Sequence, residues 1–283
     1  MTTPKTIIKI AAAASLKNGL DDAITAFKAT DPTGYANLCF DVCYAGSYTL
    51  ANKTVDDCVP YDIYLAASDE NDHKGMGKVV DACKVETNVT PNPRNFIANS
   101  LVLIKNVPGN TTLTGVTSFE TVTSSNISCG HIWIADPDLA PAGEYAKDAF
   151  IRTNNWDYVW NKVKPSADDT LGSDVQDTLC KLIADGNKPT PIPAVGVVYR
   201  SDYLNCPSIP LCNTFFVNYA PQLTNEKIIY SAAVLTNATG HGVKCVAGQF
   251  VNFLATNVAA TNAFTVKGFR TLTSIVPKPG DPI

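Results

Sequence analysis

The chain has 283 residues, 45% of them hydrophobic and 17% charged, with a formal net charge of −4. That length and apolar content support a substantial core, in one large domain or two lobes. Mild acidity without a Lys/Arg stripe argues against a nucleic-acid partner, and no apolar run reaches the roughly 20 residues needed to span a bilayer.

Met1 to Lys5 lead directly into a first strand without a signal-peptide core. This fits a cytosolic protein, or one whose leader has been replaced by Met1. Thr6 to Ala14 reads as that strand, and Ser15 stands where an N-cap belongs. In the helix that follows, Leu16, Leu20, Ile24 and Phe27 share one face. Leu38 to Tyr44 alternates as a second strand, and Ala45-Gly46-Ser47 leads into a short helical piece over 48–52. Tyr61 to Ala66 is a third strand, so the first part reads β-α-β-α-β with parallel-sheet character.

The stretch 86–94 is irregular, Ser100 to Lys105 is a strong strand, and 109–128 is polar and Thr-rich. Ile132 to Ala135 reads as a buried strand. The turn Asp136-Pro137-Asp138 ends it, and a helix follows over 144–150. Pro141 sits at or just before the first helical turn, where its missing N–H costs nothing, and Gly143 permits close backbone approach. A helix over 175–183 is capped by Ser173 or Asp174, and Ala194 to Tyr199 is a strand ending on a phenol. Ile228 to Leu235 is a further apolar segment, Val246 to Ala255 a helix, and the Pro-rich tail from Val276 is expected to be loose.

The nine cysteines (Cys39, Cys43, Cys58, Cys83, Cys129, Cys180, Cys206, Cys212 and Cys245) form no CxxC pair. Only His73, His131 and His241 are scattered among them, so a zinc site is the poorer reading and no resident metal is expected. Disulfides in an oxidising compartment are the better one. Cys206 and Cys212 flank a short loop that a bridge would close, and the odd count leaves at least one thiol over. Sequons at Asn52, Asn88, Asn110, Asn126 and Asn237 fit a secreted chain but also arise by chance in one so rich in Asn and Thr.

Four strand-to-helix junctions recur, at Ser15, Ser47, Ala142-Gly143 and Ser173-Asp174-Val175, and Tyr199 adds a hydroxyl. Helix N-termini offer unpaired N–H groups and roughly half a positive charge each. Converging, they would hold a dianion without Lys or Arg, by donors alone. Each junction taken singly reads first as an ordinary structural cap. The Asp136/Asp138 pair is a turn feature rather than an acid/base dyad, and Ala45-Gly46-Ser47-Tyr48-Thr49 lacks the second glycine of a nucleophile elbow.

The segments 11–27 (AAAASLKNGLDDAITAF), 44–51 (YAGSYTLA), 61–70 (YDIYLAASDE), 99–104 (NSLVLI), 135–150 (ADPDLAPAGEYAKDAF), 195–202 (VGVVYRSD) and 228–235 (IIYSAAVL) resemble, in order, the periplasmic molybdate-binding proteins of ABC importers. The resemblance runs from the first strand to Gly268-Phe269. It implies an α/β, two-lobed periplasmic-binding-protein fold of type II, hinged, with the ligand between the lobes. Lobe I would be 1–97 plus 217–283 and lobe II 98–216. It also implies a tetrahedral oxyanion, molybdate or tungstate, held by Ser15, Ser47, the N–H groups of Ala142 and Val175, and Tyr199, with molybdenum or tungsten present only as that oxyanion. There would be no catalysis and no cofactor. The protein would be a periplasmic or extracellular monomer, not membrane-spanning, that delivers its ligand to an ABC permease. A sulfate- or phosphate-type receptor, and a secreted sensor or enzyme reusing the fold, are the alternatives. Tyr48 stands where that family usually has a small residue.

Overall fold

The computed structural model describes residues 5–88, 92–106, 113, 115–127, 130–163, 171–206, 214–219, 228–238 and 241–273. They form two compact units. One comprises residues up to Ala98 together with Ile228–Ser274, and the other comprises Asn99–Lys227.

The first unit begins with β1 (Thr6–Ala13), whose last four residues are all buried, as expected of a strand covered on both faces. A 3-10 turn over Ala14–Leu16 leads into α1 (Lys17–Thr30). β2 (Leu38–Ala45), α2 (Ser47–Val55) and β3 (Ile63–Ala66) follow. β1 lies parallel to both β2 and β3. After α3 (Met76–Asp81) and β4 (Arg94–Asn99) the chain leaves this unit and returns as β10 (Ile228–Val234). β10 inserts antiparallel beside β3, giving the sheet order β2-β1-β3-β10-β4. Two helices, α8 (His241–Thr256) and α9 (Val258–Thr265), complete the unit. α9 is capped by the Asn257 side chain, which accepts from the Ala259 N–H.

The second unit holds β5 (Leu101–Asn106), β6 (His131–Ala135), α4 (Pro141–Arg152), α5 (Trp156–Val163) and β7 (Leu171–Gly172). It continues with α6 (Val175–Gly186), β8 (Ala194–Tyr199), α7 (Arg200–Leu204) and β9 (Thr214–Tyr219). Its sheet order is β7-β6-β8-β5-β9. β6 runs parallel to β7 and β8, while β5 runs antiparallel to β8 and β9. β9 pairs Val102 with Tyr219, so this sheet extends past position 217, where the first lobe was expected to resume.

Several expectations change. Ser15 does not cap α1; it lies inside the 3-10 turn, and Leu16 occupies the N-cap. Gly46, not Ser47, precedes the first residue of α2. Of the two candidates at α6, Asp174 is the cap. The irregular reading of 86–94 gives way to β4 at its end. Disulfides are not supported: Cys39, Cys43, Cys58, Cys83, Cys180 and Cys245 are free thiols. Cys39 and Cys43 share β2, where four residues of extended chain separate them by about 13 Å, too far to bond each other. Cys129, Cys212 and the tail from Val276 lie outside the described residues.

Candidate functional site

In the first unit the parallel pairing of β1 and β2 ends with Ala13 opposite Ala45. Ser15 and Ser47 therefore each stand two residues beyond the carboxyl end of neighbouring parallel strands. In open α/β sheets, ligands bind outside this end. Both serines are buried. Neither hydroxyl serves its helix as a cap. The Ser15 Oγ lies 2.9 Å from the Tyr230 hydroxyl on β10, and the Ser47 Oγ accepts from the Ala67 N–H at 3.0 Å. Tyr64 donates its hydroxyl to the Ser47 carbonyl at 2.7 Å. Burial pushes the Tyr64 phenol well above its ordinary value, so it remains a donor.

These bonds fix what the serines can offer. With its oxygen accepting from Ala67, Ser47 has its own hydrogen left to give. Ser15 is in the same position when Tyr230 donates to it. Each serine then acts as a donor backed by another donor, a chain whose members polarise one another.

In the second unit Ala142, Val175 and Tyr199 follow β6, β7 and β8, or end them, and these three strands are sheet neighbours running the same way. Their first helical turns are arranged alike. At α4, Pro141 has no N–H and the Gly143 N–H is taken by the Ala140 carbonyl at 3.0 Å. The Ala142 amide is the one between them. At α6, the Asp174 carboxylate accepts from Gln176 and Asp177 at 2.8 and 3.0 Å, passing over the Val175 amide. At α6 the cap serves the neighbours of Val175, while α4 has no side-chain cap and Ala142 lies between a proline and an amide bonded to the backbone. A Cβ on Gly143 would stand 2.3 Å from the Ala135 carbonyl oxygen, so α4 sits against the end of β6 as only glycine allows.

Tyr199 is 1% exposed and closes β8. α7 follows it at once and is pinned on two sides. The Arg200 N–H donates to the Ser100 carbonyl at 2.8 Å, and the Asn99 amide donates to the Ser201 hydroxyl, also at 2.8 Å. From Asp202, next along α7, the carboxylate oxygen Oδ1 accepts from the Gln176 side chain.

Other groups flagged by the sequence have local roles. The Asp138 N–H donates to the Asp136 carboxylate at 2.8 Å, closing a turn. His73 pairs with Asp81 at the surface. His131 and the Trp133 indole both reach Asp185 Oδ2 at 2.7 Å, and Lys188 reaches Oδ1 at 2.8 Å, tying β6 to the end of α6. The His241 side chain lies outside the described set. Among the described residues no group of three or more His, Cys, Asp or Glu is placed to hold a metal ion. No described helix is long and apolar enough to cross a membrane.

Sequence reasoning missed Tyr230, Gln176 and Asp202. Tyr230 reads as one apolar position among several in β10, and its partner is 215 residues away. The Asp202 signal is its place three residues after Tyr199 in the VGVVYRSD segment.

The comparisons with known proteins bear on the same chain length. The molybdate-binding protein ModA of Escherichia coli is 27% identical over 263 residues, covering 92% of this chain and 89% of that protein. Among solved structures, the substrate-binding domain of a putative molybdenum ABC transporter from Clostridium difficile superposes with a TM-score of 0.61 at 22% identity. It covers 95% of this chain and 100% of that one. The sulfate-binding protein SubI of Mycobacterium tuberculosis gives 0.66 at 15% identity, covering 95% and 88%. At these identities the two structures establish the fold, that of type II periplasmic solute-binding proteins. Residues 8–270 match the family of bacterial extracellular solute-binding proteins, and the chain belongs to that family.

Proposed function

We propose that the protein is a ModA-like receptor that captures a tetrahedral oxyanion, molybdate or tungstate, outside the cytoplasm and delivers it to an ABC permease. Ser15 and Ser47 of the first unit and the Ala142 and Val175 amides and Tyr199 of the second would hold the anion. The reading rests above all on Ser47, whose oxygen already accepts from the Ala67 N–H, and on the matching bond between the Ser15 and Tyr230 hydroxyls. A hydroxyl whose oxygen accepts elsewhere presents its hydrogen, and donors are what a fully deprotonated oxyanion needs. A protonated phosphate would bring a hydrogen with no acceptor to receive it, at a cost of about 1–3 kcal/mol. None of the five contacts ionises near neutral pH, so the set binds and releases without supplying an acid or base. Catalysis has no part in this reading.

A sulfate receptor is the second reading, favoured by the fold shared with SubI. Sulfate is also fully deprotonated, so the donor set does not separate it from molybdate; the size of the site must. Calorimetry of the protein against molybdate, tungstate, sulfate and phosphate tests both readings. Tight 1:1 binding of the first two is expected, weakened about tenfold or more by Ser47→Ala, and also by Tyr230→Phe, which removes the hydroxyl paired with Ser15. Binding of sulfate alone would keep the fold and replace the ligand. No binding by any of the four would overturn the receptor reading.

A further inference from the structure

The second unit contains a buried carboxyl that neither the capping of its helices nor the five anion contacts uses. Asp202 is 1% exposed. Its Oδ1 accepts from the Gln176 amide, while its Oδ2 is buried with no hydrogen-bond partner among the described residues. Gln176 is the second residue of α6, directly after Val175. Asp202 stands three residues after Tyr199, on a helix already held by Asn99 and Ser100. The bond between the two side chains therefore joins the segment presenting the Val175 amide to the segment presenting the Tyr199 phenol.

We propose that Asp202 is a positioning residue for the oxyanion, which through Gln176 holds the first turn of α6 and the end of β8 in the spacing that lets Val175 and Tyr199 donate to one ligand. This rests on the oxyanion reading above. Three features of the site support it. Asp174 anchors the α6 turn from within, through Gln176 and Asp177, but gives it no fixed distance from β8. The β7 strand before α6 is only two residues long, and among the described residues it pairs with β6. The body of α6 packs on β8, where Leu182 faces Gly196, and the bond from Gln176 to Asp202 extends that hold to the first turn of α6. A buried carboxyl left with one oxygen unpaired is costly, and such a cost persists where the group does something a well-packed apolar residue would not.

Burial, with the Asp174 carboxylate nearby, raises the Asp202 carboxyl well above its ordinary range, a shift that favours the uncharged form in this tie. An asparagine reproduces it: the same acceptor faces Gln176, with no charge to bury.

The experiment is molybdate calorimetry and thermal unfolding of the wild-type chain, Gln176→Ala, Asp202→Ala, Asp202→Asn and the double variant Gln176→Ala/Asp202→Ala. Each alanine variant should weaken molybdate binding about tenfold, and the double variant should bind no more weakly than either single one, since both remove one interaction. Asp202→Asn should bind within about threefold of wild type. Gln176 is half-buried, so Gln176→Ala tests the tie even if Asp202→Ala does not fold. Folded alanine variants with lowered unfolding temperatures but unchanged affinity would overturn the proposal, as would losses that add in the double variant. Those results leave the receptor reading intact. Wild-type protein that binds no oxyanion would overturn both.

Discussion

At the scale of single residues, the candidate contacts are ordinary side chains and amides whose roles are set by what stands behind them. Ser15 and Ser47 can be picked out in the sequence because they follow apolar strands, and Tyr199 because it ends one. Tyr230 cannot, because its bond to Ser15 closes a loop of 215 residues that no local pattern encodes. Asp202 is similar: an acidic residue after a strand reads as a surface group, and only its burial reverses that. It also makes a distinct prediction. An acid whose proton is held more tightly in the folded chain favours folding fully below its unfolded pKa of about 4, and loses that advantage as pH rises toward the folded value. Asp202 is such a group. The unfolding temperature of Asp202→Asn minus that of wild type should therefore grow as pH is raised from about 4. Thermal scans from pH 4 to 8 would show it; a constant difference would mean that Asp202 is ionised in the folded chain.

At the scale of elements, apolar runs identify β1, β6, β8 and β10, because strands covered on both faces are nearly continuous in hydrophobic residues, while β2, half-buried along most of its length, shows by alternation. What they do not reveal are the pieces whose stability comes from neighbours. β7 is two residues long, and α3 has six residues that include a glycine. β4 begins directly after a proline in a polar stretch. The α4 junction is legible for the opposite reason, since Pro141 and Gly143 each answer a specific demand. A Cβ at 143 would lie 2.6 Å from both the Asp136 carbonyl carbon and the Pro137 nitrogen, backbone that cannot swing aside as a side chain could. Gly143→Ala should cost about 1–3 kcal/mol in urea denaturation. It should also weaken molybdate binding in the folded fraction, because α4 must shift and carry the Ala142 amide with it. Unchanged affinity would remove Ala142 from the contact set.

At the scale of the whole molecule, each unit repeats one scheme: parallel strands whose carboxyl ends carry the candidate contacts, extended by strands of opposite direction. If one oxyanion takes donors from both units, it stabilises the folded chain as a whole. At a free concentration of about 1,000 times Kd the gain is about 4 kcal/mol. Scanning calorimetry should then show a molybdate-dependent rise in unfolding temperature that sulfate at equal concentration does not reproduce. The division into two units was expected from resemblance rather than from composition, since no linker-like stretch marks where the chain passes from one to the other.

The position of β10 between β3 and β4 has a consequence for how the protein is made. A ribosome releases residues 99–227 as one uninterrupted stretch, so every described strand of the second unit is available before β10 is synthesised. The first unit must wait. Until 228–234 emerge, β4 has no neighbour in its sheet and the Ser15 hydroxyl lacks Tyr230. The nascent chain thus carries an unfinished amino-terminal half for most of its synthesis. β10 both completes that sheet and brings Tyr230 to Ser15, so the strand order and the surroundings of one candidate contact are settled in the same late step.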